Sequence, residues 1–214
     1  MIIISHRGYW KTATEKNTIE AFSRSFSLGF GTETDIRDYH GELVISHDIA
    51  DESCITFDNF INIYLNESKG TLQPLALNVK SDGLQSKIKD KLSQFSIENY
   101  FLFDMSIPDT LGYLDQGLNT FVRYSEYEPL TALLERSQGV WLDGFSNNLV
   151  NADLLELVLG QGKKVCIVSS ELHKRGHLEV WQQYKTLPER LIQNNNLILC
   201  TDLPENALEF FNDK

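Results

Sequence analysis

The chain has 214 residues, 42% of them hydrophobic and 23% charged. At roughly 150 residues per domain this predicts one domain over 1–214, near the lower size limit of an α/β barrel, and excludes a disordered chain. Thirty Asp and Glu against nineteen Lys and Arg leave a net charge of −11. That balance excludes a general nucleic-acid binder and electrostatic docking on an anionic membrane, but not one small phosphate-bearing substrate held by a local cluster of donors or a metal.

No apolar stretch approaches the roughly 18 residues that span a bilayer, so no membrane insertion is expected. Met1–Ile4 runs at once into His6 and Arg7, with no charged lead or cleavage site of a secretory leader. Cys54, Cys166 and Cys200 are odd in number and form no CxxC, which predicts neither a disulfide framework nor a thiolate metal site and fits a reducing cytoplasm.

In chain order, Ile2–Ser5 reads as a strand. A helix follows over Thr18–Leu28, with Ile19, Phe22 and Phe26 on one face and Gly29 as its stop. Thr32–Arg37 and Leu43–Ser46 are strands joined by a tight turn at His40-Gly41, and Thr56 caps a helix over Phe57–Leu65. Strand Leu75–Val79, helix Leu84–Phe95 and strand Tyr100–Asp104 come next, and Pro108 opens a further helix. Strands Asn119–Tyr124, Val140–Asp143, Lys164–Ser169 and Leu197–Thr201 alternate with helices Leu130–Arg136, Ala152–Leu159 and Leu178–Tyr184. Pro204 starts a last helix to Phe211. Setting aside Leu43–Ser46, these are about eight βα units, the number that a (β/α)₈ barrel requires. No GxGxxG or Walker loop follows the first strand, which disfavours a doubly wound nucleotide-binding sheet.

Ionisable residues collect at the carboxyl ends of these strands, where barrels of this class carry their active sites. The first strand delivers His6-Arg7-Gly8, and the hairpin strand delivers His47-Asp48. Glu33 and Asp35 stand two apart, as do Asn78 and Lys80, so each pair shares one strand face. Asp104, Arg123, Asp143, Glu171 with His173, and Asp202 follow at later strand ends. Taken singly, each has an ordinary structural role as a helix cap, a turn or a surface charge. Their convergence on one barrel mouth is what points to chemistry.

The segments Ser5-His6-Arg7-Gly8, Asn17-Thr18-Ile19-Glu20-Ala21-Phe22, Glu33-Thr34-Asp35-Ile36-Arg37 and Ser46-His47-Asp48 resemble the glycerophosphodiester phosphodiesterase family, whose pattern is HRG, PENT-x-x-AF, ExD and HD. Leu77-Asn78-Val79-Lys80 resembles its E-x-K strand, and Thr201-Asp202-Leu203-Pro204 its closing TD-x-P. A more distant likeness is to the sphingomyelinase D toxins. The resemblance implies a TIM barrel that hydrolyses a small-molecule phosphodiester, glycerophosphodiester-like or glycan-linked. It implies His6 and His47 as the acid/base pair, Arg7 and Lys80 on the phosphate oxygens, and Glu33 and Asp35 as ligands of Mg²⁺ or Ca²⁺. The proton-transfer roles suit imidazoles, and a hard cation with two basic side chains suits a reacting phosphodiester.

Four departures from the pattern carry expectations of their own. Asn78 stands where the family has a third metal carboxylate, and its amide oxygen is a neutral ligand, so Asp104 is expected to supply the missing charge. Glu15-Lys16 replaces Pro-Glu ahead of Asn17-Thr18, and Ser169-Ser170-Glu171-Leu172-His173 replaces an aromatic WT-x-N strand end, which points to a different leaving group. Only 30 residues separate His47 from Asn78, so the family's inserted subdomain is expected to be largely missing and the site more open. Two other readings stay open: a catalytically silent barrel that binds a phosphorylated ligand or a protein partner, and a lyase or transferase using the same residues. Oligomeric state has no sequence signal.

Overall fold

The computed structural model describes residues 1–70 and 72–212. Eight strands follow the order β5-β4-β2-β1-β9-β8-β7-β6 in one sheet, with β3 paired to β2 off this path. The strands are β1 (Ile2–His6), β2 (Gly31–Tyr39), β3 (Glu42–Ile45), β4 (Leu75–Val79), β5 (Tyr100–Phe103), β6 (Phe121–Tyr124), β7 (Gly139–Leu142), β8 (Lys164–Val168) and β9 (Leu197–Thr201). Between them lie helices α1 (Ile19–Ser27), α2 (Phe57–Glu67), α3 (Gln85–Gln94), α4 (Ile107–Asp115), α5 (Leu133–Arg136), α6 (Ala152–Leu159), α7 (Leu178–Lys185) and α8 (Glu189–Ile192), and α9 (Pro204–Asn212) follows the last strand. This alternation is that of a (β/α)₈ barrel. By contact density the chain divides into two compact units, Ser5–Thr120 and Met1–Ile4 with Phe121 onward.

The Ser5–Thr120 unit is built on the parallel pairs β2–β4 and β4–β5. Register matters most here, because Asp35 is paired directly with Asn78. The hairpin β2–β3 turns at His40 and Gly41, both at positive φ (48° and 87°), the conformation that matches strand twist in a two-residue turn. Helix α1 starts where the Thr18 hydroxyl accepts from the Ala21 N–H, and α2 where Thr56 accepts from Asn59. Their buried faces meet ring against ring, Phe22 on Phe60 at 4.7 Å and Phe26 on Tyr64 at 5.0 Å. Such pairs contribute about 0.5–1.5 kcal/mol each beyond area burial. Helix α2 with its leading loop is all that lies between β3 and β4 besides the link into β4, so no inserted subdomain is present there among the described residues.

In the other unit β6, β7, β8 and β9 run parallel. Trp181 of α7 is fully buried, packs against Phe210 and Phe211, and donates its indole N–H to Ser169 at 2.8 Å. The helix expected over Leu130–Arg136 is only α5, four residues long, and α8 and the 3₁₀ turns Ala13–Glu15 and Ser170–His173 lack a sequence signal. One turn of helix is shorter than the repeat that periodicity needs.

Candidate functional site

The site begins in the tight turn after β1. Arg7 and Gly8 both take left-handed φ, 58° and 79°. A Cβ on Gly8 would sit 2.7 Å from the Ala21 Cβ of α1, so only glycine lets the turn approach that helix. The Gly8 N–H donates to the Thr32 hydroxyl and the Tyr9 N–H to the Ala21 carbonyl, both at 2.9 Å, which locks the turn between β2 and α1. Arg7 is thereby aimed at Asp35, with Nε 3.0 Å from Oδ2.

Strand alternation then sorts β2. Thr32 and Thr34 face α1 and its leading loop, where their hydroxyls bond Ser5 and Asn17. Glu33 and Asp35 take the opposite face and are buried. Asn17, itself at φ 59°, bridges the two faces: its amide oxygen accepts from Thr34 and its amide nitrogen donates to Asp35 Oδ2 at 2.9 Å. Sequence reading quoted Asn17 only as part of a motif, and its hold on Asp35 is the role it missed.

Lys80 follows β4 and stands between two carboxylates. Its Nζ donates to Asp104 Oδ2 at 3.1 Å and lies 3.6 Å from Asp35 Oδ1. Burial pushes the Lys80 ammonium down from its ordinary value while Asp35 and Glu33 oppose that shift. Asp104 holds its position at φ 76°, a conformation costing about 1–3 kcal/mol for a residue with a side chain. It sits on the lysine, in salt-bridge contact with the cation that also faces Asp35.

His6 closes the group, with Nε2 3.8 Å from Glu33 Oε2. Burial raises the Glu33 carboxyl to about 7, reinforced by the Asp35 charge and opposed by His6, Arg7 and Lys80. His47 is more open, 45% exposed, and its Nδ1 lies 2.9 Å from Asp48 Oδ1. A carboxylate only accepts, so Nδ1 donates to Asp48 and Nε2 is the ring nitrogen left to act as a base. Arg37 donates to the His47 carbonyl and anchors this strand end. Beside it a cavity of about 540 Å³ is lined by Arg7, Lys16, Glu20, His47, Asp48 and Ser53, among others.

Three buried side-chain oxygens here have no hydrogen-bond partner: Glu33 Oε2, Asp35 Oδ1 and Asn78 Oδ1. Buried acceptors are ordinarily satisfied, and three oxygen donors from two adjacent strands are the set that a hard divalent cation takes. The residues therefore fit Mg²⁺ or Ca²⁺, with the amide of Asn78 as the neutral donor. Among the described residues no three His, Cys, Asp or Glu side chains form a metal-holding group.

The unit beginning at Phe121 carries its own polar strand ends. His173 Nε2 meets Asp143 Oδ1 at 2.6 Å, with the Phe145 ring 4.9 Å from the imidazole. Glu171 accepts from the hydroxyls of Ser169 and Thr201 and from the Asp202 N–H, and Arg123 pairs with Glu128 at 3.3 Å. Glu126, which sequence reading did not single out, accepts from the N–H groups of Phe145, Ser146 and Asn147. Partial burial alone would raise its carboxyl, but these backbone donors win and hold it at about 2.

No protein-family model and no curated protein matches the sequence. Solved structures do match in fold. A glycerophosphodiester phosphodiesterase from Parabacteroides distasonis superposes with TM-score 0.72 at 16% identity over 98% of this chain and 96% of that one. One from Agrobacterium tumefaciens gives 0.73 at 13% over 98% and 99%. A Galdieria sulphuraria chain provisionally given the same name reaches 0.76 at 16% over 99% and 98%. This chain has the fold of those proteins.

Proposed function

We propose that this chain is a divergent glycerophosphodiester phosphodiesterase that hydrolyses a small-molecule phosphodiester, glycerophosphodiester-like or glycan-linked, in a metal-dependent reaction. The observation that carries the reading is the trio of buried oxygens on Glu33, Asp35 and Asn78 that accept no hydrogen bond, flanked by Arg7 and Lys80 and by His6. When bound there, a divalent cation would supply electrophilic stabilisation of the phosphate charge.

The chain's own residues supply the rest. Arg7 and Lys80 bind the non-bridging oxygens and neutralise charge that builds on them. Both are already held in place, Arg7 by its left-handed turn and Lys80 by Asp104. One imidazole takes the proton of the attacking hydroxyl, a neighbouring substrate hydroxyl or water. The other gives a proton to the leaving alkoxide oxygen as the P–O bond breaks. His47, whose Nδ1 is on Asp48, presents Nε2 and suits the base role, which leaves the acid role to His6. Asn17 does no chemistry; it keeps Asp35 oriented.

The proposal takes 1–214 as one catalytic domain working in the cytoplasm, with no nucleic-acid partner. Its three cysteines are free, and among the described residues no helix is long and apolar enough to cross a membrane. Asp104 enters it through Lys80 and Asn78 as a direct donor.

The test is turnover of a phosphodiester panel with Mg²⁺, Ca²⁺ and chelator, with products resolved by ³¹P spectra. Metal-dependent release of a phosphomonoester supports hydrolysis. A cyclic phosphate as end product assigns a lyase instead, and a new diester a transferase. One observation favours a silent binding barrel: Asp35 Oδ2 already carries both Arg7 and Asn17. Ligand binding without turnover under any metal would establish that reading.

A further inference from the structure

We propose that Lys16 is a specificity residue, which selects phosphodiesters whose second alcohol carries an additional anionic group, a carboxylate in the simplest case. The inference rests on the phosphodiesterase reading and deepens it.

Lys16 is on the wall of the 540 Å³ cavity that also contains Arg7 and His47, the proposed phosphate and acid/base residues. The cavity is larger than a phosphate group, so it has room for part of the substrate beyond the phosphorus. The ammonium of Lys16 is held over the Trp10 ring, 4.5 Å from its centroid. That ring is itself fixed, because its indole N–H donates to the His6 carbonyl at 3.1 Å. The chain on the other side is fixed too: Asn17 donates its backbone N–H to the Arg7 carbonyl and grips Thr34 and Asp35. A lysine usually loses entropy to reach a ligand; this one is placed beforehand by a cation–π contact.

No nearby carboxylate makes an ion pair with it among the described residues. Glu15, the adjacent residue, is engaged by Arg24 at 2.8 Å and by the Lys11 N–H. Asp48 is engaged by His47. Glu20 lines the same cavity, but no ion pair joins it to Lys16 among the described residues. In a chain of net charge −11, Arg7 and Lys16 balance Glu20 and Asp48 on this wall, and the Lys16 ammonium is a positive point there that makes no ion pair among the described residues. It favours an anion on the part of the substrate that lies there.

The experiment compares two diesters that differ by one carboxylate, glycerophosphoserine and glycerophosphoethanolamine. Both carry the same ammonium, so Glu20 acts alike on each. Wild-type protein is expected to favour the serine diester in kcat/KM by about 3–5-fold at low salt, the size of a half-exposed ion contact, and less at high salt. K16A removes the preference, K16E reverses it, and K16R retains it. Equal preference in wild type and K16E overturns the proposal, as does a wild type with no preference. If neither diester is cleaved with any metal, the glycerophosphodiester form of the phosphodiesterase reading fails. Calorimetric binding of the same two diesters to metal-free wild type and K16E then still decides on Lys16. Melting temperatures of all variants confirm that they fold.

Discussion

The strand ends of the two units treat their charged groups in opposite ways. In the unit from Phe121 onward, carboxylates are closed on neighbours: Asp143 on His173, Glu171 on two hydroxyls and an N–H, Glu126 on three loop N–H groups. In Ser5–Thr120, Glu33, Asp35 and Asn78 each keep a buried oxygen without a hydrogen bond, and Arg7, Asn17 and Asp104 hold left-handed backbone. Satisfied networks rigidify a fold. Unsatisfied acceptors and strained backbone next to basic side chains are what a binding site costs the apo protein.

The largest test of that contrast removes the histidines. H6A and H47A should each lower turnover about 10²–10⁴-fold, and the double variant should be little worse than either. H173A, by the same comparison, should lose stability first; a loss of turnover as large as that of H6A at unchanged melting temperature breaks the contrast.

The carboxylate and glycine variants come next. Glu33→Gln should weaken Mg²⁺ or Ca²⁺ binding at least tenfold by titration calorimetry, as loss of one charged ligand of a hard cation implies. D35A should do the same and also destabilise the fold by about 3 kcal/mol, because it strands the partly buried Arg7. G8A should cost about 1–3 kcal/mol in denaturant unfolding, through its positive φ and its clash with Ala21.

The smallest effect is a pH dependence in the closed network. Glu126 has a carboxyl lowered from 4.5 to about 2. A depressed carboxyl stabilises above its unfolded value, and that stability is lost as pH falls through the folded one. The melting temperature of E126Q should therefore lie below that of wild type by a constant amount above about pH 5, and the gap should close toward pH 2. A gap independent of pH down to 2 would sink the assignment of the loop anchor to the charged form.

Much of this was readable along the chain. Strands β4 and β9 and helix α6 fall where the sequence puts them, because short apolar runs, helical periodicity and a cap such as Thr56 are local signals. His6, Arg7, Glu33, Asp35 and Lys80 were legible as strand-end residues on shared faces for the same reason. The expectation for Asp104 shows the limit. Sequence places it one strand from Asn78 without naming its contact, which is the Lys80 ammonium that also faces Asp35. A salt-bridge partner is chosen by cross-strand geometry and not by spacing.

The amino-acid sequence by itself determined the βα alternation, the strand-end chemistry and the acidic charge, since each is a local or additive property. Tertiary structure alone decided which groups meet. The β2–β4 register set Asp35 opposite Asn78, the fit of Gly8 against Ala21 aimed Arg7, and Asn17 reached from one face of β2 to the other. It also decided that Lys16 lies on Trp10 and not on a carboxylate. These partners lie up to 43 residues apart (Asp35 to Asn78), and only packing distances and left-handed turns, which depend on the whole surrounding fold, bring them together.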